Sequence, residues 1–341
     1  MPERYLALSP SDQNELLEVA AERSGRPPHL LEKDIWLVWV LSALFSSGLG
    51  PDLTFKGGTS LSKAYKVIDR FSEDVDVTYD IRRLIGDLVE NSGGIPRSAS
   101  QARKWTAVVR ERLPVWIESS VIPVLRRAMA EDGIEAELEI IGERQDSLNL
   151  SYAPMNIGTG YVAPQIRLEF GARATGEPRE PAFVDCDSAR FFPDISFPEA
   201  NPSVMKMERT FWEKVTAAHV FCRQTRLKGE RFSRHWHDIA KLARSPRMKA
   251  SFPAREYGAM VVAHKSMFFA EKDLSGAPID YGECLCGRLK LVPGETAYEL
   301  LAEDYAKMAE DGILLQSPPV FRVLMEECAG IEKQLNQALA K

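Results

Sequence analysis

Paired cysteine motifs are missing from this chain. Its five cysteines, Cys186, Cys222, Cys284, Cys286 and Cys328, offer one close pair, Cys284-x-Cys286. A structural zinc site draws its ligands from two such pairs, so the cysteines read as reduced thiols. Long apolar runs are missing too: the longest, Ile35 to Phe45, is too short to span a bilayer and holds Ser42. No basic segment followed by an apolar stretch opens the chain as in a secretory signal, and the expected location is the cytoplasm, away from any membrane. There is no Walker loop with Gly-Lys-Ser/Thr, no G-x-G-x-x-G fingerprint, and no His-Arg-Asp kinase loop with its downstream Asn. Those absences set aside P-loop, dinucleotide-binding and protein-kinase chemistry.

What is present is a globular composition. The 341 residues are 45% hydrophobic and 27% charged, enough for one large or two ordinary domains. The net charge of −6 is unevenly spread. Residues 206–249 hold twelve Lys/Arg against four Asp/Glu, a local +8, which leaves −14 on the rest. A basic segment in an acidic chain points to a localised surface for a polyanion.

The most specific stretch is Phe55-Lys-Gly-Gly-Thr-Ser-Leu-Ser-Lys63, followed by Arg70-Phe-Ser-Glu-Asp-Val-Asp-Val-Thr78. Leu53 to Lys56 reads as a strand. Gly57 and Gly58 permit a tight turn. Thr59 or Ser60 then caps a helix running through Leu61, Ala64, Tyr65 and Ile68. A strand, a glycine turn and a helix start together present backbone N–H groups and a positive dipole end, where phosphate binds. A second strand begins near Asp74. Strand alternation puts Asp74, Asp76, Thr78 and Asp80 on one face and Val75, Val77 and Tyr79 on the other. Two carboxylates about 6–7 Å apart along a strand can share a pair of magnesium ions. A lone Gly-Gly is an ordinary turn and a lone Asp-x-Asp an ordinary polar edge. Their order and spacing carry the reading of Gly57, Gly58, Thr59 and Ser60 as a nucleotide cradle beside the metal ligands Asp74 and Asp76.

Elsewhere the pattern alternates between classes. Ser9-Pro-Ser-Asp12 starts a helix that Gly25 ends, and Pro27-Pro28 opens a second through Leu41. Helices are expected from Ser100 to Met129, with a break near Pro123. Ala136–Ile141, Ser147–Tyr152 and Gln165–Phe170 read as strands, the last with Ile166, Leu168 and Phe170 inward and Gln165, Arg167 and Glu169 outward. Residues 173–205 read as a connection. Helices follow at Met205–Arg226, from Asp238, and at Ala254–Phe269, Glu295–Glu310 and Pro319–Leu339. Two regions are expected: 1–200 with the sheet, and 201–341, helical. The fold class is α+β.

Inside the basic segment lie Glu208-Arg-Thr-Phe-Trp-Glu-Lys214 and Arg231-Phe-Ser-Arg-His-Trp-His-Asp238. Lys206, Thr210 and Lys214 share a helix face. His235 and His237 have no third ligand nearby and read as structural or nucleic-acid contacts. Trp236 reads as core rather than as a base-stacking platform. Arg223, Arg226, Lys228, Arg231 and Arg234 form either a phosphate-contacting RNA patch or a solvated basic face.

The order Gly-Gly, helix, Asp-x-Asp resembles the nucleotidyltransferase superfamily typified by DNA polymerase beta. The wording Phe-Lys-Gly-Gly-Thr-Ser-Leu and Arg70-Phe-Ser-Glu-Asp-Val-Asp76 is similar to the AbiEii/AbiGii toxin family of type IV toxin–antitoxin and abortive-infection systems. Leu31-Glu-Lys-Asp-Ile-Trp36 also resembles that family's N-terminal helix, although an ordinary amphipathic helix accounts for it equally. The resemblance implies a polymerase-beta-like core with a helical C-terminal region that completes the active site. It implies Glu169 as a third metal carboxylate, Lys214 as the cation for the triphosphate and Asp238 as a functional aspartate. It implies two-magnesium transfer of a nucleotide from an NTP to an acceptor, with tRNA ends as one family target, and a cognate antitoxin from the same operon. A nucleotidyltransferase acting on protein or a small molecule, and a silent nucleic-acid-binding relative, are the alternatives.

Overall fold

The computed structural model describes residues 2–89, 93–157, 162–224, 226, 232–310, 314 and 318–340. The chain divides into two compact units. One comprises Met1–Ala64, Ser72–Gly94 and Lys104–Met205, the other Tyr65–Phe71, Ile95–Arg103 and Lys206–Lys341.

The first unit is built on a seven-stranded mixed sheet. Its strands are β1 (Leu53–Lys56), β2 (Asp74–Tyr79), β3 (Glu137–Ile141), β4 (Ser147–Ser151), β5 (Gln165–Gly171), β6 (Arg179–Pro181) and β7 (Ser203–Met205), in the spatial order β3-β4-β5-β2-β1-β7-β6. β1 runs antiparallel to β2, pairing Phe55 with Val77 and Lys56 with Asp76. β2 runs parallel to β5, pairing Asp74 with Arg167 and Asp76 with Glu169. The period-2 pattern explains the register. Val75, Val77, Ile166, Leu168 and Phe170 are all buried on one face, and a slip of one residue would turn them to the other. Each such side chain contributes roughly 1.5–3 kcal/mol by leaving water. Trp116 closes this face, stacked on Tyr79 at 4.0 Å and edge-on to Phe170 at 5.5 Å.

Helices α1 (Pro10–Ser24) and α2 (Pro28–Phe45) open the unit. Ser9 caps α1 by accepting from the Asp12 N–H at 3.2 Å, and Gly25 ends it in the left-handed conformation. α3 (Gly57–Lys63) follows β1, and α4 (Ala99–Trp116) and α5 (Ile122–Asp132) precede β3. The expected break near Pro123 is a π-helical turn at Ile117–Val121, just before a proline that cannot supply an N–H to the preceding turn.

Two expectations fail. α3 begins at Gly57 and stops at Lys63, so Thr59 and Ser60 lie inside it and cap nothing. The supposed connection 173–205 contains β6 and β7, and β7 pairs in parallel with β1 through Val204 and Phe55. Three-residue strands beside Pro181 and Pro202 are too short to show a period.

The second unit is helical among its described residues, as the sequence suggested: α6 (Met207–Gln224), α7 (Arg234–Arg244), α8 (Arg255–Phe268), α9 (Glu295–Glu310) and α10 (Phe321–Leu339). α7 starts four residues before Asp238. Trp212 and Trp236 are fully buried. Their indole N–H groups donate to the Pro253 and Ala254 carbonyls, both at 3.0 Å, and to the Leu291 carbonyl at 2.6 Å. Trp236 is therefore core. Among the described residues no helix is long and apolar enough to cross a membrane.

Candidate active site

The carboxylates come together through the sheet. Asp74 and Asp76 share one face of β2, and Glu169 stands beside Asp76 on the neighbouring strand, about 4.8 Å away in the backbone. The Glu169 carboxyl is raised by burial first, then by the negative charges of Asp76 and Asp74; Arg167 and Lys56 act the other way. Arg167 lies 3.6 Å from Glu169.

Gly57 lies directly against Asp76. Its φ of +77° is left-handed, and a Cβ there would lie 2.0 Å from Asp76 Oδ2. The carboxylate occupies the space a side chain would need, so the glycine is required twice over.

The Thr59 and Ser60 hydroxyls already have partners inside the fold. Thr59 Oγ1 donates to the Asp74 carbonyl and pairs with the Ser72 hydroxyl at 2.8 Å. Ser60 Oγ donates to the Gly57 carbonyl at 2.9 Å. Both residues are fully buried. Thr59 thus braces α3 against the first residue of β2. The groups this turn offers to an anion are the backbone N–H groups at a helix start, including those of Gly57 and Gly58.

Among the described residues no three His, Cys, Asp or Glu side chains converge on a ready-made metal site. The donor chemistry nonetheless fits a hard divalent cation. It is all carboxylate oxygen, and a cation would offset both the burial and the neighbouring negative charges that raise Glu169.

Sequence reasoning quoted three charged residues of α2 only as part of Leu31-Glu-Lys-Asp-Ile-Trp36 and gave them no role. Glu32, Lys33 and Asp34 are all buried. Glu32 accepts from the Met155 and Asn156 N–H groups at 2.9 and 3.1 Å. Lys33 binds Glu73 at 2.9 Å, the residue before Asp74, and Asp34 binds Lys63 at 2.6 Å. Lys63 also reaches Asp187 at 2.9 Å. The signal was available: three consecutive charges sweep about 200° of a helix, and apolar residues surround them on every side.

In the second unit Lys214 on α6 and Asp238 on α7 meet at 2.8 Å. Arg70 grips the same carboxylate with two bonds, Nε to Oδ1 at 2.8 Å and Nη2 to Oδ2 at 2.9 Å. Burial alone would push the Asp238 carboxyl up; Arg70 and Lys214 outweigh it and hold it well below the usual carboxylate range. Burial lowers the Lys214 ammonium, with Asp238 pulling the other way. His237 Nδ1 lies 3.3 Å from Asp238 and its Nε2 3.4 Å from Asp69. Burial lowers this imidazole, but the two carboxylates raise it overall. Desolvation drives His235 well down.

Several cations of the basic segment are answered by carboxylates within the unit. Arg209 pairs with Glu213, Arg223 with Glu283, Lys241 with Asp69, Arg244 with Glu327 and Arg247 with Glu208. Arg223 is therefore engaged, whereas Arg226 is exposed and Arg234 half-buried. Lys228 and Arg231 lie outside the described residues.

A glycine turn thus lies against a paired carboxylate on a mixed sheet. The sequence profile of a family described as "Nucleotidyl transferase AbiEii toxin, Type IV TA system" matches residues 39–327. The chain belongs to this family of nucleotidyltransferase toxins. No curated protein sequence matches it. Among solved structures it is similar to MenT4, a nucleotidyltransferase toxin from Mycobacterium tuberculosis H37Rv, at 15% identity and a TM-score of 0.44, over 98% of this chain and 100% of that one.

Proposed function

We propose that this protein transfers a nucleoside monophosphate from an NTP to an acceptor hydroxyl on RNA, a tRNA 3′ end being the family's example; the new O–Pα bond replaces the Pα–O–Pβ bond and pyrophosphate leaves. The observation that carries the reading is Asp76, aligned with Glu169 and lying against Gly57. Asp74, Asp76 and Glu169 would hold the divalent cations, two magnesium ions in this reading. Bound there, such ions neutralise phosphate charge and lower the pKa of an attacking hydroxyl. The chain itself supplies the rest. β2 and β5 fix the carboxylate spacing, Thr59 fixes α3 relative to Asp74, and Gly57 leaves Asp76 room. Lys214 supplies a positive charge for the triphosphate, a role suggested by the family and consistent with its burial. Asp238 orients that ammonium.

The acceptor is suggested by charge. Carboxylates answer six cations of the 206–249 segment among the described residues, and the exposed Arg226 and half-buried Arg234 are the candidates for phosphate contact. A single-stranded end needs few such contacts. Retention of Asp74, Asp76 and Glu169 speaks against a silent relative. The type IV toxin–antitoxin family implies an antitoxin partner, and the cytoplasm supplies NTP and RNA.

The test is incubation of the purified protein with each α-labelled NTP, magnesium and total RNA. Label in RNA supports the proposal. Label in protein or in a small molecule instead would reject the RNA acceptor while keeping the chemistry. No transfer to any acceptor would reject the enzyme.

A further inference from the structure

The second unit holds Arg70 in a more specialised place than a stability role requires. Arg70 and Asp238 are both buried, with 4% and 0% of their side chains exposed. Asp238 uses both oxygens: Oδ1 accepts from Arg70 and faces His237, and Oδ2 accepts from Arg70 and from Lys214. A guanidinium fork on a carboxylate fixes its plane as well as its position. A lysine ammonium has no such geometry of its own. It is a point charge on a flexible four-carbon stem, and its place is set by what accepts its hydrogen bonds. Arg70 aims the carboxylate, and the carboxylate aims Lys214.

We infer that Arg70 is a positioning residue, whose two-pronged hold on Asp238 sets where the Lys214 ammonium stands. The inference rests on the reading that Lys214 serves the triphosphate. It adds that the Arg of Arg70-Phe-Ser-Glu-Asp acts through Asp238 and touches no substrate. Within this set of side chains Arg70 and Lys214 bring two positive charges to the single carboxylate of Asp238. Lysine at position 70 would keep the charge and lose the fork, which separates the two contributions.

The experiment compares Arg70→Lys, Lys214→Ala and the double variant with the wild type, each checked by thermal melting. It reads kcat and KM for the NTP in the label-transfer assay. Misplacing a catalytic group by about 1 Å costs on the order of a hundredfold. Arg70→Lys is expected to fold, to lose about that factor in kcat and to change KM much less. The double variant is expected to be no slower than Lys214→Ala alone, because residues acting as a unit are not additive. If Arg70→Lys does not fold, Arg70→Gln takes its place with the same expectations. Wild-type turnover by the position-70 variant overturns the inference and leaves the Lys214 reading intact. So does a double variant slower than Lys214→Ala by the full single-variant factor. Full activity of Lys214→Ala overturns both.

Discussion

Substituting Gly57 by alanine should damage catalysis far more than stability. The new Cβ would lie 2.0 Å from Asp76 Oδ2 and 2.7 Å from Asp76 Cγ. Ordinary contact needs about 3.4 Å or more between such atoms, so the carboxylate must swing away by more than 1 Å. Rotation of the short side chain moves the carboxylate, and a backbone shift of a few tenths of an ångström relieves Asp76 Cβ, 3.0 Å from the new atom. The added strain is the left-handed backbone, about 1–2 kcal/mol for alanine. A displaced metal carboxylate costs on the order of a hundredfold in rate. Gly133 supplies the control. Its φ is +67° and nothing lies within 4 Å of a Cβ built there, so Gly133→Ala carries the same backbone strain without the clash. The assay is kcat for label transfer alongside melting temperature. The two variants should melt within a few degrees of each other, and only Gly57→Ala should lose activity. Equal activity in the two would refute the proposed closeness of Gly57 to a working Asp76.

The other predictions concern charge. The folded state raises the Glu169 carboxyl and so binds its proton more tightly than the unfolded chain does. That contribution is fully present below the ordinary glutamate range and is lost as pH rises from there through the raised folded value. Without divalent ions, Glu169→Gln should therefore melt higher than wild type at neutral pH; magnesium should stabilise wild type more than the variant, and an equal response would remove Glu169 from the metal ligands. Asp238 is the opposite case, with its folded pKa depressed, so its contribution is present above the ordinary aspartate range and lost as pH falls. Asp238→Asn leaves Arg70 and Lys214 buried against a neutral amide and should cost about 3–5 kcal/mol in urea unfolding; a loss below about 1 kcal/mol would contradict the buried pairing. Binding of a single-stranded RNA should weaken as salt rises if Arg226 and Arg234 contact phosphates, and a flat response would remove them from the interface.

Local pattern was enough for the strands that carry the chemistry. Val75, Val77, Ile166, Leu168 and Phe170 alternate cleanly with polar residues, and that alternation placed Asp74, Asp76 and Glu169 on the faces where they are found. It could not reveal that Gly57 lies against Asp76, because the contact depends on β1 and β2 pairing at Lys56 and Asp76. Nor could it show that the Thr59 and Ser60 hydroxyls are spent inside the fold. A charge count along the chain also could not show that folding brings Asp69, Glu283 and Glu327 to Lys241, Arg223 and Arg244. Arg70 was read only as part of a motif's wording, since its partner Asp238 lies 168 residues further on. β6 and β7 were missed because strands of three residues show no period.

The central claim is that the carboxylates of β2 and β5 perform nucleotide transfer. Its most direct test is label transfer from α-labelled NTP to RNA by wild-type protein and by Asp76→Ala, with folding of both verified. The expected result is magnesium-dependent labelling of RNA by the wild type and its loss, by a thousandfold or so, in the variant. Labelling that persists in Asp76→Ala, or that proceeds equally well with chelator present, would contradict it.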